Sequence, residues 1–131
     1  ILINTTRTFE ALGLGEFARD FRPERLLTVP ASELAMKHVG RPVPNVPLLG
    51  AFAALGGLIT LDAVQAAIRE KFKGAVAQGN MEAAREAYEI VMEQEKKAEG
   101  AAALGRPEQG TAPVGGSAVR GATNVGANHH A

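Results

Sequence analysis

A chain of 131 residues is enough for one domain or for part of one. Its 14 Lys and Arg balance 14 Asp and Glu, so no net field recruits nucleic acid or an anionic membrane surface. With no cysteine it forms no disulfide, offers no thiol nucleophile and holds no iron–sulfur cluster on its own thiolates, which fits a cytoplasmic protein. No apolar run reaches the roughly 18 residues of a membrane span, because Asn45, Pro47 and several glycines dilute the longest one.

The chain opens on Ile1 in what reads as mid-strand, without a signal-peptide pattern, and residues before Ile1 are expected. "ILINTT" is apolar and β-branched up to Asn4, the pattern of a strand covered on both faces that runs into a polar loop. A second such run is "RLLTVPAS", residues 25–32. The roughly 18 residues between them suit a parallel crossover. Two strands do not make a stable sheet alone, so further strands are expected from preceding sequence.

Ser32 reads as the N-cap of a short helix over "ELAMKHVG", with Leu34, Ala35 and Val39 inward and Gly40 as its stop. "NVPLLGAFAALGGLITL", residues 45–61, then carries no charge at all. A helix that is apolar all round is expected to be buried all round. Gly50, Ala51 and Ala54 leave it small enough for another backbone to approach, and they are the expected interface residues. Thr60 reads as the cap of an amphipathic helix with Leu61, Val64, Ile68 and Phe72 on one face. A further helix is expected from about Asn80, with Ala84, Ala87, Tyr88 and Val91 on one side, ending in "EQEKKAEG". Residues 101–131 are Gly, Ala, Pro and small polar groups, expected to form a disordered or extended tail after a domain over residues 1–100.

Candidate chemistry is sparse. His38 reads as a residue at a helix C-terminus, with no second metal ligand four residues away, and no metal site is expected. His129 and His130 in the tail make no catalytic signature. The glycines of "GLGEF" and "GAFAALGG" do not follow a strand in the dinucleotide-binding spacing. Glu10, Glu16 and Asp20 read as the solvated face of the crossover, and no acid/base pair stands out. Asn4, Thr5, Thr6 and Arg7 are the candidate cofactor-binding group, since ligands of open α/β sheets bind beyond the carboxyl ends of strands. Their alternative role is to cap the segment that follows.

In their order and spacing, Asn45, Leu49, Gly50 and Ala51, then Val64, Ala67, Ile68 and Phe72, then Asn80, Ala83 and Tyr88, resemble the C-terminal half of the gamma subunit of 2-oxoacid:acceptor oxidoreductases, the pyruvate:ferredoxin oxidoreductase superfamily. Ala84 stands where that family usually has Phe, and Ala87 where it usually has Gly. The family's Gly-Gly-Gln-Gly segment is absent from this sequence, and the tail has no counterpart.

The resemblance implies an α/β fold, the C-terminal part of a Rossmann-like open parallel sheet with covering helices. It also implies a complex that oxidatively decarboxylates a 2-oxoacid to an acyl-coenzyme A, with pyruvate as the default substrate and 2-oxoglutarate, indolepyruvate or phenylglyoxylate as alternatives. Thiamine diphosphate, coenzyme A and [4Fe-4S] clusters would then serve the complex, none bound by this chain alone. The implied partners are alpha, beta and ferredoxin-like delta subunits, with ferredoxin or NAD as acceptor. Catalytic residues of its own are not expected. The competing reading is a non-enzymatic helical adaptor with "ILINTT" as an extended arm; a stand-alone α/β enzyme lacks the needed side-chain cluster.

Overall fold

A computed structural model describes residues 1–105. Strand β1 (Leu2–Asn4) pairs in parallel with β2 (Leu27–Val29), Leu2 opposite Leu27 and Asn4 opposite Val29. The crossover holds one helical turn, α1 (Gly15–Ala18), and a 3₁₀ turn at Pro23–Arg25, so β2 is shorter than the apolar run suggests. Four helices follow: α2 (Ala31–Val39), α3 (Asn45–Gly56), α4 (Leu61–Lys71) and α5 (Gly74–Gly105). The described residues are thus α/β and mostly helical, with a two-stranded parallel sheet.

Two of the expected helix signals act as read. Gly40 adopts φ 85° and its N–H donates to the carbonyls of Ala35 and Met36, closing α2. Thr60 Oγ1 accepts from the Ala63 N–H at 3.0 Å, opening α4. The cap of α2 differs. The helix starts at Ala31, so Ser32 lies within its first turn, and it is Asn4 Oδ1, reaching over from β1, that accepts the Ser32 N–H at 3.3 Å. Asn4 Nδ2 in turn donates to Ser32 Oγ at 3.0 Å.

Helix α5 starts at Gly74, earlier than expected, and continues to Gly105, past the expected boundary at residue 100; residues 106–131 lie outside the described residues. Gly79 and Asn80 disfavour a helix locally, yet both are buried in it. A Cβ on Gly79 would overlap the His38 carbonyl oxygen, so only glycine lets α5 cross the end of α2 this closely. Asn80 Nδ2 donates to the Val76 carbonyl at 2.9 Å, staying within the helical ladder.

The core has two parts that meet at α3. Leu27, Val29, Ala31 and Leu34 pack with Ala51, Ala87 and Val91. Ala53, Val64, Ile68, Ala77 and Ala84 make the second cluster, with Phe72 and Tyr88 at its edge. Helix α3 is therefore buried on the face formed by Pro47, Gly50, Ala51 and Ala53. It is not buried all round: Leu49 and Phe52 are 42% and 41% exposed, and Leu58 beyond the helix is 82% exposed. The small residues meet this chain's own core, Leu48 and Leu55 pack against its first part, and Leu49 and Phe52 face outward.

Among the described residues, a side chain rather than a strand stands on the side of β2 away from β1. Gln94 of α5 accepts from the Thr28 N–H at 3.1 Å and donates to the Thr28 carbonyl at 2.5 Å. Its amide offers one acceptor and one donor in the arrangement a neighbouring strand would present.

Candidate functional site

The strand-end group serves local structure. Asn4 bonds Ser32, Thr5 Oγ1 accepts from the Arg7 N–H at 3.0 Å, and Arg7 Nη2 donates to the Ala11 carbonyl at 2.6 Å. Thr6 is exposed, with no hydrogen bond among those of the described residues. Asn4 ends the strand and the other three follow it, and Asn4, Thr5 and Arg7 are tied into turns and a cap.

His38 sits where α2 crosses α5. Its Nε2 lies 2.5 Å from Glu86 Oε2 and its Nδ1 3.5 Å from Glu82 Oε2, while Lys37 Nζ lies 2.9 Å from Glu86 Oε1. The hydrogen bond from His38, reinforced by that from Lys37, holds the Glu86 carboxyl below its ordinary value of 4.5. A carboxyl whose folded pKa is lowered stabilises the fold above its unfolded pKa. That contribution is lost as pH falls through the folded value. Comparing thermal unfolding of the chain with that of Glu86→Gln across pH is expected to show a gap at neutral pH that closes below about pH 4.5. A gap independent of pH would mean that packing, rather than the ionised carboxylate, joins the two helices.

A cleft of about 700 Å³ lies between the start of α3, one side of α4 and the first turns of α5. Its size falls in the range of ligand and partner pockets, roughly 300–1,000 Å³. The helical period of α4 places Val64, Ile68 and Phe72 on its wall, Leu49 of α3 faces them, and Asn45 and Asn80 add two carboxamides. Residues that are far apart in sequence but belong to the same family-like pattern, Asn45, Leu49, Val64, Ala67, Ile68, Phe72 and Asn80, thus border one cavity. The sequence offers each as a separate helix position. Because α5 begins at Gly74 rather than near Asn80, Val76 joins the same wall.

Gly50 and Ala51, expected at an interface, are buried within the chain. A Cβ on Gly50 would overlap the Ala84 carbonyl group and Cα, so the backbone approaching this glycine is that of α5. Ala54 is half-buried beside the first core cluster. Among the described residues no group of three His, Cys, Asp or Glu stands ready to hold a metal ion, and no helix is long and apolar enough to cross a membrane.

Comparison with known proteins gives this fold its context. The chain is 36% identical over 89 residues to the pyruvate synthase subunit PorC of Methanothermobacter marburgensis, a match covering 68% of this chain and 45% of that one. It is 35% identical over 89 residues to the common subunit gamma of the pyruvate/ketoisovalerate oxidoreductases of Pyrococcus abyssi, covering 68% and 46%. The crystal structure of the pyruvate oxidoreductase subunit PORC from Thermotoga maritima is similar with a TM-score of 0.54 at 29% identity, covering 68% of this chain and 48% of that one. The chain spans about half the length of the curated relatives it matches. The family model described as pyruvate ferredoxin/flavodoxin oxidoreductase matches residues 1–90, a stretch that takes in both strands, α2, α3, α4 and the first half of α5. The chain belongs to the pyruvate ferredoxin/flavodoxin oxidoreductase family.

Proposed function

We propose that the chain is the C-terminal part of the gamma subunit of a multi-subunit 2-oxoacid:acceptor oxidoreductase. The observation that carries this reading is the family match through residues 1–90, which covers most of the folded body rather than one isolated motif. The similarity to relatives named as PorC and gamma subunits points to the gamma position. In this reading β1 and β2 are the end of a Rossmann-like open sheet, and the outward Leu49 and Phe52 of α3 meet other polypeptide.

The reaction assigned to the assembly is oxidative decarboxylation of a 2-oxoacid to an acyl-coenzyme A, with pyruvate first among the substrates and an aromatic acid such as phenylglyoxylate as an alternative. Electrons pass to ferredoxin or NAD. Thiamine diphosphate supplies the decarboxylation chemistry on other subunits, and a chain without cysteine leaves any [4Fe-4S] cluster to cysteine-bearing partners. Alpha, beta and delta subunits are the proposed partners, in the cytoplasm. The contribution of this chain is structural: its helices present surfaces that hold the catalytic subunits together.

The test is co-expression of the whole gene product with the products of its neighbouring genes, followed by assay of the purified assembly. Expected is coenzyme A-dependent reduction of a low-potential viologen dye by pyruvate, 2-oxoglutarate, indolepyruvate or phenylglyoxylate, lost when this gene product is omitted. Purification of the protein free of other subunits, with no 2-oxoacid-dependent reduction in the mixture, would overturn the assignment.

A further inference from the structure

The cleft between α3, α4 and α5 has a chemistry of its own. Three of its bordering side chains, Val43, Leu49 and Val76, are 52%, 42% and 50% exposed, a concentration of uncovered apolar surface at one mouth. Two cations, Arg41 and Lys71, stand at the same border, and no Asp or Glu lines it. Among the ion pairs of the described residues neither Arg41 nor Lys71 takes part. In a chain whose charges balance overall, an apolar groove with two unpaired cations and no anion is a local imbalance.

We propose that this cleft is the docking groove for an amphipathic helix of another subunit, one whose apolar anchors are flanked by Asp or Glu. The inference rests on the subunit reading above. Apolar anchors enter between Leu49 and the α4 wall, and the flanking carboxylates meet Arg41 and Lys71. The side chains fit a segment better than a small ligand. The cations lie exposed at the mouth, so they discriminate what approaches, while the interior offers little beyond two carboxamides to orient a polar molecule. None of the bordering residues comes from the sheet, so the groove is independent of how the strands are extended.

The experiment uses the assembly of the whole gene product with its co-expressed neighbours. The charge reversal Arg41→Glu with Lys71→Glu is expected to weaken association of this subunit at least ten-fold at low salt, with the difference shrinking as ionic strength rises. The control Lys97→Glu, on the exposed end of α5, is expected to leave it unchanged. Val76→p-benzoyl-phenylalanine is expected to photocrosslink to a helix of another subunit bearing apolar residues beside carboxylates. Changing those carboxylates to Lys should restore binding of the reversed variant.

Crosslinks confined to this chain, or to a partner segment without acidic residues, would overturn the proposal, as would a charge reversal that binds like wild type. In either case an intact, active assembly leaves the subunit reading standing. If no assembly and no 2-oxoacid oxidation are found even with the unaltered protein, the subunit reading itself fails, and this proposal with it.

Discussion

Gly50→Ala is expected to destabilise the fold, although alanine is the better helix former by about 1 kcal/mol. The new Cβ would fall on the carbonyl carbon, carbonyl oxygen and Cα of Ala84, all backbone, so no side chain can turn away to make room. Helix α5 would have to move as a body from the core. Overpacking of this kind costs about 1 to 3 kcal/mol, and the rigidity of the neighbour puts this site at the upper end, so the steric penalty exceeds the propensity gain. Gly56→Ala on the same helix is the opposing case. Nothing stands within 4 Å of its Cβ position, and its φ is not positive. That variant is expected to unfold at or above the wild-type temperature. Thermal unfolding followed by circular dichroism checks both; Gly50→Ala melting like wild type would mean that α5 is not seated on α3.

Leu27→Ala is the second change of large expected effect. Leu27 is fully buried, with β1 on one side and the α3 and α5 side of the first cluster packed against it. Truncating a buried leucine costs about 2 to 5 kcal/mol, set against a total stability of about 5 to 15 kcal/mol for a domain of ordinary size. The midpoint of thermal unfolding is therefore expected to fall by about 10 °C or more, since each 1 kcal/mol shifts the midpoint of a domain of this size by about 4 to 8 °C. Leu58→Ala, at a residue 82% exposed, is expected to change stability by no more than about 0.5 kcal/mol. Equal effects at the two positions would show that the first core cluster does not carry the fold.

What the sequence made legible are features set by neighbours in the chain. The parallel pair follows from two apolar runs and their spacing, the Gly40 and Thr60 caps from single residues, and the inner face of α4 from the period of Val64, Ile68 and Phe72. Less legible are features set by residues far apart. The cap of α2 is a side chain 28 residues upstream, Asn4, which no local motif announces. The start of α5 is hidden because Gly79 reads as a helix breaker until the His38 carbonyl is placed against it. In α3 the pattern shows that all sides are apolar, but not that Gly50 and Ala51 pack inward while Leu49 and Phe52 turn outward. The cleft combines the last two difficulties, since its walls come from α3, α4 and the first turns of α5, which precede the expected helix start.

The pairing of Gln94 with Thr28 gives the sheet a direction. Leu27 N–H donates to the Ile1 carbonyl and Thr5 N–H to the Val29 carbonyl, so in the parallel ladder the peptide groups of Leu2 and Asn4 point away from β2. One margin of the sheet is thus stoppered by a carboxamide that leaves Thr28 nothing to offer another strand, and the opposite margin stays open for bonding. Natural sheets commonly guard their margins with charge, proline or a bulge. Here a single glutamine, carried on a helix, makes recruitment of strands one-sided: an added strand has the Leu2 and Asn4 margin to join, and stray strands are refused at the other.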